Sequence, residues 1–176
     1  MAKEQDATLE GLKTALQMEI DGKVFYLKSS KASQNKLGKE LLKKLAAEED
    51  IHREVFKNIY NRIKNKKEWP DIKFTGDGGR GLRTVFAKAL DVMDKSVNSM
   101  TVELDAVKTG MDMENKTLDF YNGRKKLASY DAEKQLYESL TMQESEHYRV
   151  LLDYYEFLKD PAGWFVKSEH TSVDGG

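Results

Sequence analysis

The sequence predicts an all-α protein: a four-helix bundle of two helix pairs, joined by a long crossover that contains a short helix. Three observations predict it. Charged residues make up 34% of the 176-residue chain and hydrophobic ones 39%, with only 2 prolines, the balance of helices with one apolar and one charged face. Apolar residues recur at three- and four-residue steps through four long stretches. Finally, the chain repeats itself: Glu19 and Glu114, Glu49 and Glu144, and His52 and His147 each stand 95 residues apart (114 − 19, 144 − 49, 147 − 52). Phe25-Tyr26 and Phe120-Tyr121 keep the same offset, as do Tyr60 and Tyr155. An internal repeat of this kind means two copies of one supersecondary unit, here a helix pair.

Taken in order, Asp6 or Thr8 offers a cap for the first helix, in which Leu9, Leu12, Leu16, Glu19, Lys23 and Tyr26 mark one face to about Ser30. Ser29-Ser30 through Ser33-Gln34-Asn35 is turn chemistry, short enough to return the next helix antiparallel. The second helix carries Leu41, Leu42, Leu45, Ala46, Glu49, His52, Phe56, Ile59 and Ile63, so its Glu and His lie on the apolar stripe. Trp69-Pro70 ends it, because proline disfavours helix at the residue before it.

Gly76-Asp77-Gly78-Gly79-Arg80-Gly81 lacks both the Gly-Lys-Ser/Thr ending of a phosphate loop and a preceding strand pattern, and reads as a flexible crossover. Leu82, Val85, Phe86, Ala89, Leu90, Met93 and Val97 then space as a short helix covering the core. Thr101 starts the third main helix, with Glu103 in its first turn and Leu104, Val107, Met111, Glu114, Leu118 and Tyr121 on its inner stripe. Gly123 and the Ser129-Tyr130-Asp131 turn are expected to separate it from the fourth. That helix holds Leu136, Leu140, Glu144, His147, Leu151, Tyr154, Tyr155 and Leu158 and stops at Asp160-Pro161. Residues 1–160 form the bundle and 161–176 a C-terminal tail.

Glu49-Asp50-Ile51-His52 and Glu144-Ser145-Glu146-His147 are two Glu-x-x-His motifs, a spacing that sets carboxylate and imidazole one turn apart on one helical face. Each follows a lone glutamate, Glu19 or Glu114. Four carboxylates on apolar stripes must protonate or find cations. Two divalent ions balance four carboxylates, and two imidazoles add one neutral donor per ion while leaving positions open for oxygen species. A single Glu-x-x-His in a charged helix is weak evidence, but here two of the 3 histidines share motif, offset and upstream glutamate. His170 has no such context and reads as ordinary surface. Tyr26 and Tyr121 each lie seven residues beyond a candidate glutamate; they read either as donors to ligand carboxylates or electron suppliers, or as an aromatic core stripe. Met18 and Met113 read as core filler, and Glu48 and Glu146 as facing water or assisting around the metal.

The doubled Met-Glu-x5-Phe-Tyr and Glu-x-x-His patterns resemble the rubrerythrin branch of the ferritin-like superfamily over roughly 7 to 160. The ending from Asp160-Pro161 through Trp164-Phe165 to Gly175-Gly176 is similar to short members of that branch. The resemblance implies Glu19, Glu49, His52, Glu114, Glu144 and His147 as ligands of two iron ions, with Glu49 and Glu144 bridging; manganese or a mixed pair stays open. It also implies reduction of hydrogen peroxide, by a homodimer. Full-length relatives carry a rubredoxin-like domain with four cysteines; with 0 cysteines here, the expected electron donor is a separate rubredoxin-like protein. Thr117 stands where the family usually has an extra glutamate tied to peroxidase activity. Oxygen is the other expected oxidant, and iron handling of ferritin type or a metal-stabilised scaffold are the competing readings.

Lys plus Arg (29) nearly cancels Asp plus Glu (30), so no global field favours nucleic acid. No apolar run reaches the length of a membrane span, and Met1 to Asp6 has no apolar segment of a secretory signal. The cytoplasm is the expected compartment.

Overall fold

A computed structural model describes residues 2–66, 69, 70, 74, 80–90 and 101–164 of the chain. Five helices form the frame among the described residues: α1 (Ala2–Ala32), α2 (Lys36–Lys66), α3 (Arg80–Leu90), α4 (Thr101–Leu127) and α5 (Asp131–Lys159). No strand occurs among the described residues. The four long helices pack as two intimate pairs, α1 with α2 and α4 with α5, as the repeat requires.

The turn between α1 and α2 is fixed by its own polar side chains. Asn35 caps α2, its Oδ1 accepting a 2.9 Å hydrogen bond from the Leu37 backbone N–H, and the Ser30 hydroxyl donates to the Lys39 carbonyl at 2.8 Å. In the second pair Glu133, in the first turn of α5, accepts from the Ser129 backbone N–H at 3.3 Å, so a carboxylate satisfies a donor that helix geometry leaves free. Two expectations about helix ends need correcting. α1 already runs from Ala2, so neither Asp6 nor Thr8 caps it, and the Thr8 hydroxyl instead faces Glu133 at 3.4 Å. Gly123 lies inside α4, which continues to Leu127, because a glycine in a helix interior costs only about 1 kcal/mol.

The pairs meet antiparallel. Tyr26 reaches Glu114 and Tyr121 reaches Glu19 between α1 and α4, while His52 meets Gln143 and His147 meets Glu48 between α2 and α5. Gly110 permits the close approach of α4 to α1, since a Cβ there would lie 3.1 Å from the Tyr26 ring. The apolar interior divides into two clusters. One gathers Leu41, Leu45, Val107, Leu151 and Tyr154 and is covered by α3 through Leu82 and Phe86. The other gathers Leu12, Phe56, Ile59, Tyr121, Tyr137 and Leu140. Burying each such side chain contributes about 1.5–3 kcal/mol, and the two clusters together clamp the middle of the bundle from both ends.

α3 forms where its apolar spacing predicts; Met93, Val97 and the glycines before Arg80 lie outside the described residues. Arg83 of α3 pairs with Glu146, tying the crossover to α5. Of the tail, Trp164 packs edge-on against Phe86 at 5.6 Å and Phe157 at 6.0 Å; Phe165 and His170 lie outside the described residues. Met18 and Met113 are half-buried and belong to neither core cluster.

Candidate metal centre

Between the two apolar clusters, α1, α2, α4 and α5 bring all six predicted residues to one point. Glu19, Glu49, His52, Glu114, Glu144 and His147 are each no more than 4% exposed. Their oxygen and nitrogen atoms form two groups able to hold a metal ion, Glu19–Glu49–His52–Glu144 and Glu49–Glu114–Glu144–His147, with the atoms of each within 4.8 Å of one another. Glu49 and Glu144 belong to both groups.

The imidazoles are aimed by their outer nitrogens. His52 Nε2 lies 3.1 Å from Gln143 Oε1, and His147 Nε2 lies 3.0 Å from Glu48 Oε2. A neutral ring that donates outward from Nε2 turns the lone pair of Nδ1 inward. His52 Nδ1 lies 3.0 Å from Glu144 Oε1 and 3.3 Å from Glu19 Oε2. His147 Nδ1 lies 3.0 Å from Glu144 Oε2 and 3.3 Å from Glu49 Oε1. The two rings stack nearly parallel, 5.6 Å apart, and Phe74 of the crossover sets its edge against His52.

These inward atoms fit a metal pair. Both Nδ1 atoms, both Glu144 oxygens and Glu19 Oε2 are buried without a hydrogen-bond partner. Orphaned acceptors facing one another are costly, and cations among them would satisfy all of them together. Without a cation, the same residues balance one another's charge. Burial, with Glu144 beside them, pushes Glu49 and Glu114 well above the usual carboxylate range. Burial also opposes charge on Glu144, but His147 and His52 outweigh it and hold Glu144 well below that range. Burial opposes charge on both imidazoles as well, and the surrounding glutamates, led by Glu19 for His52 and Glu144 for His147, raise them well above the ordinary histidine value.

Tyr26 and Tyr121 do touch the centre, and they do so crosswise. The Tyr26 hydroxyl donates to Glu114 of the other pair, and Tyr121 donates to Glu19. Burial first, then the neighbouring glutamates, raise both phenols well above their usual value, so they remain hydroxyl donors at neutral pH. Glu146 pairs with Arg83 and, at 2.8 Å, with Arg149, away from the centre. Glu48 is buried against His147 and does not face water. Gln143 was missed by sequence reasoning, yet the repeat could have found it, since 143 − 48 is the same 95. Phe74 had no such signal, because the crossover has no counterpart in the repeat.

A helical bundle with a buried carboxylate–histidine centre at its middle defines a class of proteins able to hold metal between facing helices. Within that class the Rubrerythrin family model matches residues 10–155, and the chain belongs to the rubrerythrin family. No curated protein and no solved structure matches it. No helix among the described residues is long and apolar enough to cross a membrane.

Proposed function

We propose that the chain is a di-iron oxidoreductase that reduces hydrogen peroxide, or oxygen, to water with electrons from a separate donor protein. The observation that carries the reading is the sharing of Glu49 and Glu144 between two complete donor groups. Glu19 and His52 would hold one ion, Glu114 and His147 the other, with Glu49 and Glu144 bridging. When bound, such a pair supplies the two electrons of H2O2 + 2H+ + 2e− → 2H2O and is recharged from outside, the chain's 0 cysteines offering no rubredoxin-type relay. Iron is the metal the family favours, while oxygen and imidazole donors alone also accept manganese.

The chain's own residues do four things. The apolar clusters and Phe74 keep bulk water from the carboxylates, which strengthens every charge interaction there. Gln143 and Glu48 hold the imidazoles in the tautomer that faces inward. Tyr121 and Tyr26 fix the two terminal glutamates by donating to them. Direct contact of the oxidisable phenols with those carboxylates supports a catalytic role for Tyr26 and Tyr121. The homodimer implied by the family resemblance is part of the proposal and is read from mass in solution.

Metal analysis of the purified protein, followed by stopped-flow mixing of the reduced form with peroxide and with oxygen, tests the reading. Two iron ions per chain and rapid oxidation by peroxide are expected. Metal-replete protein that reacts with neither oxidant would overturn the enzymatic assignment and leave a metal-stabilised scaffold.

A further inference from the structure

The two halves of the centre differ at one position. Under the 95-residue offset Glu48 corresponds to Gln143, and each backs the histidine of the opposite pair. His147 Nε2 donates to a carboxylate, and His52 Nε2 donates to an amide oxygen. Both backing residues are 8–9% exposed, so solvent does little to level them. Glu48 is held in place by Lys44, 3.4 Å from its other oxygen, and the Gln143 amide nitrogen is buried with no partner of its own.

A carboxylate that accepts an imidazole N–H draws that proton toward itself and makes the opposite nitrogen a stronger donor, whereas an amide oxygen does so far less. We propose that the two metal positions are unequal: Glu48 makes the Glu49–Glu114–Glu144–His147 position the tighter one, and it fills before the Glu19–Glu49–His52–Glu144 position. The proposal rests on the metal-centre reading above. Glu48 and Gln143 act through the histidines and are positioning residues.

Cobalt(II) titration of the chelator-stripped full chain, followed by visible absorption and calorimetry, tests it without any turnover. The wild type should take up two ions in two separate steps. Glu114→Gln should remove the first step and Glu19→Gln the second. Glu48→Gln should weaken the first step by about 10–100-fold, the usual effect of losing such a backing group, and leave the second nearly unchanged. Gln143→Glu should strengthen the second step, and the double exchange of Glu48→Gln with Gln143→Glu should reverse the order of filling. Two ions bound with both steps indifferent to Glu48→Gln and Gln143→Glu, or both steps weakened equally, would overturn the inequality while leaving the metal centre standing. A wild type that fails to bind two ions, or a Glu144→Ala chain that binds as the wild type does, would bring down the centre itself. Should Glu48→Gln not fold, Gln143→Glu alone still decides, because an unstrengthened second step contradicts the proposal.

Discussion

The first helix pair and the second repeat each other at the centre and diverge away from it. Leu45 and Leu140, Leu41 and Leu136, and Leu12 and Val107 occupy equivalent positions and are all buried. The six centre residues and the two tyrosines repeat as well. Away from these the pairs diverge. At one end of the bundle Glu133 is buried beside Thr8 and Arg124, which lies 3.3 Å away. At the other, Glu103 is buried against the hydroxyls of Ser33 at 2.6 Å and Tyr154 at 2.5 Å, in space that Gly38 leaves open. The difference teaches what constrains such a chain. The six centre residues match in both copies, whereas the residues that back them, Glu48 against Gln143, and the buried polar groups at each end differ.

The comparison breaks hardest at a residue both halves share. Because Glu144 contributes to both donor groups, Glu144→Ala should lose most of the bound metal, while Glu114→Ala should lose only part of it. Metal content per chain by elemental analysis checks this. The metal-free Glu144→Ala chain should also lose stability in urea denaturation, because His52 and His147 lose the buried carboxylate that they hold ionised.

The next largest effect measures the apolar likeness of the pairs. Leu45→Ala and Leu140→Ala each empty a fully buried site and should each cost about 2–5 kcal/mol in urea denaturation. If the pairs are equivalent in packing, the two losses agree closely. A gap larger than about 3 kcal/mol, beyond the spread that local collapse alone produces, would show that the cluster covered by α3 is packed differently from the other.

Much of this was legible in the sequence, for a reason that the repeat makes plain. Periodic apolar positions report which face is buried, and the doubled Glu-x-x-His places two donors on that face; both signals are local and survive without coordinates. The pairing across the bundle was not legible. Tyr26 and Glu19 share a helix face, so the near expectation is that each tyrosine serves the glutamate of its own helix. The antiparallel approach of α1 and α4 instead crosses the partners. Glu48 reads from sequence as a charge flanking a motif, and only the register between α2 and α5 shows that it ends on His147. Which residue of one helix meets which of another depends on an axial offset that side-chain periodicity does not encode.

That crossing gives the smallest and most specific test. Tyr26→Phe removes the hydroxyl that Glu114 accepts from, and Tyr121→Phe the one that serves Glu19; phenylalanine keeps the ring and its packing. A hydrogen bond to a charged partner contributes about 1.5–3 kcal/mol, so each variant should weaken its own terminal position while the overall fold persists. With crossed partners, Tyr26→Phe should weaken the ion held by Glu114 and His147, and Tyr121→Phe the ion held by Glu19 and His52. If each tyrosine instead served its own helix, the two effects would trade places. Stepwise metal titration of both variants separates these outcomes, because the step that shifts names the glutamate that lost its donor.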